Sequence, residues 1–273
     1  MKLSLVLSTH AAAFEAVALK GDVEAGIAKI AGWGYGGVEL AIRDPRLVDG
    51  DEIVRVLSSH GLVAPAIGTG QAWGEEGLSF TSDDRTVRRA AIDRVVSHVP
   101  LAARLNAVVI LGLIRGITPS GQTHQQSMAY LVEAIRECAA AAAASGVRLA
   151  LEPLNRYETD LVHTTADGLE LAEQVGLDSF GLLLDTFHMN IEEPDIEAAI
   201  SAAGDRIFHF HVADSNRWYP GAGHLDFGRI LTTLSDTGYG GFISGEFLPR
   251  PDADTAAARA IRHLQTCRPR PDA

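Results

Sequence analysis

Four short apolar runs in the second half of the chain each end on a residue that binds hard cations. Leu149-Ala150-Leu151 is followed by Glu152, Leu182-Leu183-Leu184 by Asp185, Phe208-His209-Phe210 by His211, and Ile243-Ser244-Gly245 by Glu246. Three carboxylates and one imidazole are a mainly oxygen-donor set. It suits Mn²⁺, Mg²⁺ or Co²⁺ better than the thiol-rich set of a structural zinc site. A single acidic residue after a strand is ordinarily a loop cap or an arginine partner. Four such strand ends, three carboxylates and an imidazole each directly after apolar residues, ask for a common ligand. His188 lies three residues after Asp185, Arg217 six after His211, and Glu158 six after Glu152. Alone, His188 would read as a structural loop histidine; beside a ring of metal ligands it reads as a substrate contact.

Such ends meet only if the strands run parallel around one mouth. Short apolar runs alternate along the chain with longer segments of helical period. The runs are Leu3–Ser8, Gly37–Ala41, Leu62–Gly68, Ala107–Leu111, Val147–Glu152, Gly181–Asp185, Ile207–Val212 and Phe242–Glu246. Helical period follows through Val23, Ile27 and Ile30, through Ile53 and Leu57 to Gly61, and over about 83–105, 122–145, 166–175 and 253–264. Strands that are apolar throughout, with helices between them, imply a parallel sheet covered on its outer face. Eight such units close into an α/β fold, the (β/α)₈ or TIM barrel, whose active sites sit at the C-terminal ends of the strands. An open doubly wound sheet would carry a Gly-rich phosphate turn after its first strand, and Ser8-Thr9-His10 is no such turn. One barrel domain over 1–273 is expected, with the tail Arg268–Ala273 frayed.

Composition narrows the partners. With 273 residues, 47% of them hydrophobic, the chain has material for one large core. Its 23 basic against 35 acidic residues give a formal charge of −12, which works against a nucleic-acid backbone. Two cysteines, Cys138 and Cys267, show neither a disulfide framework nor zinc spacing, and read as ordinary thiols. The apolar start Met1–Ser8 is too short for a secretory signal, and no run approaches a membrane span. A cytoplasmic protein without membrane partners is the default.

The motifs also carry a resemblance. Glu152-Pro-Leu-Asn-Arg-Tyr-Glu158, Asp185-Thr-Phe-His188-Met-Asn-Ile-Glu-Glu193, His211-Val-Ala-Asp-Ser-Asn-Arg217 and the Glu246 strand resemble the ketose 3-epimerases, which are xylose-isomerase-like barrels. The resemblance spans essentially the whole chain. It implies that Glu152, Asp185, His211 and Glu246 hold a divalent metal, Mn²⁺ first and Mg²⁺ or Co²⁺ as alternatives. Glu152 and Glu246 would then exchange the C3 proton of a keto-sugar across its two faces through an enediolate. Glu158, His188 and Arg217 would hold substrate oxygens, and the assembly would be a homodimer or homotetramer. Ala41-Ile-Arg43-Asp-Pro45, Gly68-Thr-Gly-Gln71-Ala72 and Leu111-Gly-Leu-Ile-Arg115-Gly116 look most like the 5-keto-L-gluconate epimerase branch. Because Arg grips carboxylates with a planar fork, Arg115, or else Arg43, is expected to read the carboxylate of a ketouronate. The alternatives are a free-ketose 3-epimerase, an aldose–ketose isomerase such as hydroxypyruvate isomerase, and a non-catalytic sugar-binding barrel. An apurinic-site endonuclease on the same fold would need a basic face that this chain lacks.

Overall fold

The computed structural model describes residues 1–268, and the expected fraying of the tail falls largely on 269–273, outside them. Eight parallel strands run in sequence order around a closed barrel: β1 (Lys2–Ser8), β2 (Gly37–Ala41), β3 (Ala66–Gly68), β4 (Val108–Leu111), β5 (Leu149–Leu151), β6 (Phe180–Asp185), β7 (Ile207–Val212) and β8 (Phe242–Gly245). Closure comes from β8 pairing back on β1, with Leu3 opposite Ile243 and Leu5 opposite Gly245. A two-residue strand, Leu19–Lys20, adds to the outer end of β1. The expected (β/α)₈ barrel is the fold observed.

Alternation along each strand sorts side chains between two cores. Leu3, Leu5 and Leu7 join the large cluster that includes Ile27 and Ile30 of the helix Val23–Gly32, so they face the helical shell. A second cluster of Ala66, Val108, Ile110, Ala150, Leu183 and Phe208 plugs the barrel interior. Two residues beyond Ala150, Leu183, His209 and Ser244 stand Glu152, Asp185, His211 and Glu246, on the same inward face but at the C-terminal mouth. The period of two thus puts four polar groups above an apolar plug.

Several elements are shorter than the sequence suggests. β3 begins only at Ala66, after Pro65, which has no N–H for a ladder. β5 stops at Leu151, two residues before Pro153. The helix Arg85–Leu105 starts from an Asp84 cap, and His124–Ala143 from a capping box of Thr123 and Gln126. Short helices Gln71–Glu76 and Thr186–Glu192, after β3 and β6, lie in segments that carry no clear helical period. Both cysteines are free thiols, and Cys138 is buried against the long-helix layer. No helix among the described residues is long and apolar enough to cross a membrane.

Candidate active site

One ligand atom each from Glu152, Asp185, His211 and Glu246 lies within 4.8 Å of every other. His211 Nδ1 stands 3.7 Å from Glu152 Oε1 and 3.9 Å from Glu246 Oε2, too far for hydrogen bonds. Glu152 Oε1, Asp185 Oδ2, His211 Nδ1 and His188 Nε2 are all buried without a hydrogen-bond partner. Buried polar atoms are nearly always satisfied, and four orphans at one spot call for a shared ligand. Three carboxylates packed at one mouth also repel one another. Burial raises Glu246 well above the usual carboxylate range, against the pull of His211. Asp185 is raised by burial as well, with the neighbouring Glu152 adding to it. Glu152 meets the same burial, but its neighbours His211, His188 and Arg115 outweigh it and lower its pKa. Donor chemistry and orphaned atoms both fit a hard divalent cation.

His211 is aimed from behind. Its Nε2 donates to Glu39, at 2.9 and 3.0 Å from the two carboxylate oxygens, and His209 Nε2 donates to the same carboxylate at 2.7 Å. With the proton on Nε2, the Nδ1 lone pair must face the carboxylates. Burial alone would raise Glu39; the His211 and His209 imidazoles outweigh it and hold the carboxylate far below its ordinary range. Sequence reasoning missed this pair. The signal was present in a glutamate inside the apolar run Gly37–Ala41 and in the alternation His209-Phe210-His211. Glu39→Gln is expected to weaken Mn²⁺ binding by about 10–100-fold, as loss of such supporting partners does, and titration calorimetry checks it.

The expected substrate contacts Glu158, His188 and Arg217 gather at the same mouth. His188 Nδ1 accepts from the Asn155 backbone N–H at 3.2 Å and side-chain amide at 2.7 Å, so Nε2 carries the proton. That N–H points at the cluster, 3.8 Å from Glu152 Oε1 and 4.0 Å from Asp185 Oδ2. Arg217 has φ +61, a strained left-handed backbone for a non-glycine residue. Asp214 holds that loop by accepting the N–H groups of Ser215, Gly221 and Leu225. The Arg217 guanidinium stacks on Phe187, donates to Glu158 at 2.7 Å, and reaches within 3.8 Å of Glu246.

The two remaining arginines do not reach the cleft, which corrects the expectation that one of them reads a carboxylate there. Arg115 is wholly buried. Its turn, Leu113–Arg115, folds the side chain back under the end of β4. There it donates to the carbonyls of Gly112 (3.1 Å) and of Leu111, Leu161 and Val162 (3.3 Å each). Burial pushes the guanidinium down to about 10, against the pull of Glu152 and Glu158. Arg115 is a clamp between two loops. Arg115→Ala strips four carbonyls of a buried donor and is expected to cost about 2–4 kcal/mol of folding stability, read by urea denaturation. Arg43 is engaged by Glu75 at 2.7 Å and Glu76 at 3.3 Å and is absent from the cleft wall.

The cleft over this cluster has a volume of about 320 Å³ and is walled by Phe14, Val17, Trp73, Leu113 and Leu154. That is the size of a small-molecule site. Beside Glu152 the wall is Gly112, where a Cβ would stand 3.5 Å from Glu152 Oε2. The sequence over residues 27–267 matches the family described as xylose isomerase-like TIM barrel. The chain belongs to that family. Within the xylose isomerase-like barrels it is 32% identical over 244 residues to an L-ribulose 3-epimerase of Mesorhizobium japonicum, covering 88% of this chain and 80% of the relative. It is 32% identical to a D-psicose 3-epimerase of Agrobacterium fabrum, over 80% and 76% of the two chains. The crystal structure of D-allulose 3-epimerase from Methylomonas sp. in complex with D-allulose matches with a TM-score of 0.81 at 26% identity, over 97% of each chain. The relatives are carbohydrate epimerases, and this member of the xylose isomerase-like family is an enzyme of that class, an isomerase of sugars.

Proposed function

We propose that the protein inverts C3 of an uncharged ketose. The observation that carries this is the pair Glu152 and Glu246, which project from β5 and β8 into one buried cluster. One carboxylate takes the C3 proton and the other returns a proton to the opposite face. A single base would hand its proton back to the face it came from. His188 Nε2–H and the Arg217 guanidinium are donors for substrate oxygens, and Glu158 holds Arg217 in place. The apolar wall of Phe14, Trp73 and Leu113 keeps water from the exchanging proton. Glu152, Asp185, His211 and Glu246 would hold a divalent cation, Mn²⁺ before Mg²⁺ or Co²⁺, which would supply Lewis-acid polarisation of the carbonyl.

Charge around the cleft favours a neutral sugar over a ketouronate. Among the described residues Arg217 is the one arginine or lysine on its wall, and it is already paired with Glu158. Five glutamates, Glu39, Glu75, Glu152, Glu158 and Glu246, share that wall. A homodimer or homotetramer belongs to the same reading, by resemblance to the ketose 3-epimerases.

The test is an assay of the Mn²⁺-supplemented protein with D-psicose, D-tagatose, D-fructose, L-ribulose and 5-keto-L-gluconate, with products identified by NMR. A C3-epimeric ketose should form from at least one neutral sugar, with kcat/KM at least about tenfold above the ketouronate's, since placing an unpaired anion costs that much or more. An aldose product would make the protein an aldose–ketose isomerase instead. Preference for the ketouronate would overturn the charge argument.

A further inference from the structure

The short helix after β3 brings further polar groups to the cleft that Glu158, His188 and Arg217 line. Gln71, Gly74 and Glu75, at i, i+3 and i+4 spacing, share one helical face, and all three line the cleft. A Cβ at Gly74 would meet nothing within 4 Å, so space lies open in front of that face.

Gln71 is 8% exposed, and its Oε1 is buried without a partner. The orientation of its amide follows from the neighbours. Ser8 Oγ donates its one hydrogen to the His10 carbonyl at 2.8 Å. Toward Gln71, 3.0 Å away, Ser8 then accepts, which places the amide NH₂ on that side. Oε1 is the atom left without a partner. Glu75 is held in the same manner, by Arg43 Nη1 at 2.7 Å and His10 Nε2 at 3.1 Å. Both groups are anchored from behind, and both offer acceptors alone. Such a pair recognises O–H donors and repels carboxylates and phosphates. Apolar Phe14, Val17 and Trp73 stand on the same wall and suit the C–H faces of a sugar.

We propose that Gln71 and Glu75 form a distal subsite that binds a hydroxyl group at the far end of the ketose chain, with Gln71 the residue that discriminates. This rests on the ketose reading above. A subsite built to accept a hydroxyl hydrogen rejects the analogue that lacks it, because the buried acceptor is left unpaired.

The test compares each of D-fructose, D-psicose, D-tagatose and D-sorbose with its 6-deoxy counterpart, using the full-length Mn²⁺-loaded protein. For the best sugar, the wild type should favour the hydroxylated form by about tenfold or more in kcat/KM. Gln71→Met, nearly equal in volume, should bring that ratio within about threefold, through a higher KM for the hydroxylated sugar with kcat little changed. Ser8→Ala leaves Gln71 in place but frees its amide to turn, and should lose part of the preference. Circular dichroism and thermal melts establish that each variant is folded. Equal kcat/KM for a sugar and its 6-deoxy form in the wild type overturns the subsite while leaving the epimerase reading intact. Undiminished discrimination in folded Gln71→Met does the same. Absence of turnover with every sugar removes the epimerase reading, and the subsite with it.

Discussion

Glu246→Gln is expected to slow C3 inversion by about a thousandfold or more, the scale of losing a positioned acid or base. Glutamine keeps the size of the side chain but can neither carry the proton nor bind the cation as an anion, so the assay uses saturating Mn²⁺. Its neighbours His211, Asp185 and Glu152 are committed to the cation in this reading, and Arg217 is no base, so none of them takes over the proton. Glu152→Gln should cost as much, because inversion needs both faces served. The two variants separate in D₂O. Each retains one carboxylate, so each should still exchange the C3 hydrogen of one epimer with solvent deuterium, and do so faster than it inverts the centre. NMR of C3 deuterium content against epimer ratio reads both rates at once. The pair of variants should label opposite epimers, which assigns each glutamate to a face. Inversion within about tenfold of wild type in either variant would remove that residue from the proton transfer.

The barrel and the four-residue cluster were legible in the sequence for one physical reason. In a parallel barrel every strand is buried on both faces, so a polar residue at a strand's end stands out against an apolar run. Glu152, Asp185, His211 and Glu246 each end such a run, and strand order alone places them around one mouth. Glu39 was less visible, because a single carboxylate inside Gly37–Ala41 declares no partner until β2 is brought to His209 and His211 across the barrel. The helix Gln71–Glu76 was hidden by its glycines, Gly70, Gly74 and Gly77, which erase helical period. Arg115 shows the opposite difficulty. Its position after β4 put it at the mouth, but the direction of its side chain is set by the turn Leu113–Arg115 and by four carbonyls that only the fold assembles. Strand ends can be read from pattern; the aim of a loop side chain depends on backbone geometry that pattern does not carry.

The same cluster predicts a reversal of sign between the metal-free and metal-loaded protein. Asp185→Asn should stabilise the metal-free form, because burial and the neighbouring Glu152 already disfavour the Asp185 carboxylate in the fold. An acid whose folded pKa is raised loses stability for the native state once pH rises above its unfolded value. At neutral pH the charge is therefore a penalty that asparagine removes. Asparagine also keeps the structural duty of this position, since Asp185 Oδ1 caps the helix Thr186–Glu192 through the Phe187 N–H at 2.8 Å and Asn caps as well as Asp. The atom altered in earnest is Oδ2, which has no protein partner. After chelation, Asp185→Asn should melt about 2–4 °C above the wild type, the shift of about 1 kcal/mol in a domain of this size. With Mn²⁺ at 100 times its Kd the wild type gains about 2.7 kcal/mol, and the variant, binding more weakly, should fall below it. Activity should follow the metal, lost on chelation and restored by Mn²⁺ in the wild type alone. Thermal melts of both proteins with EDTA and with Mn²⁺ decide it. A variant less stable than wild type in both conditions would mean that Asp185 serves the fold and not a cation, and the cluster would then need another explanation for its orphaned atoms.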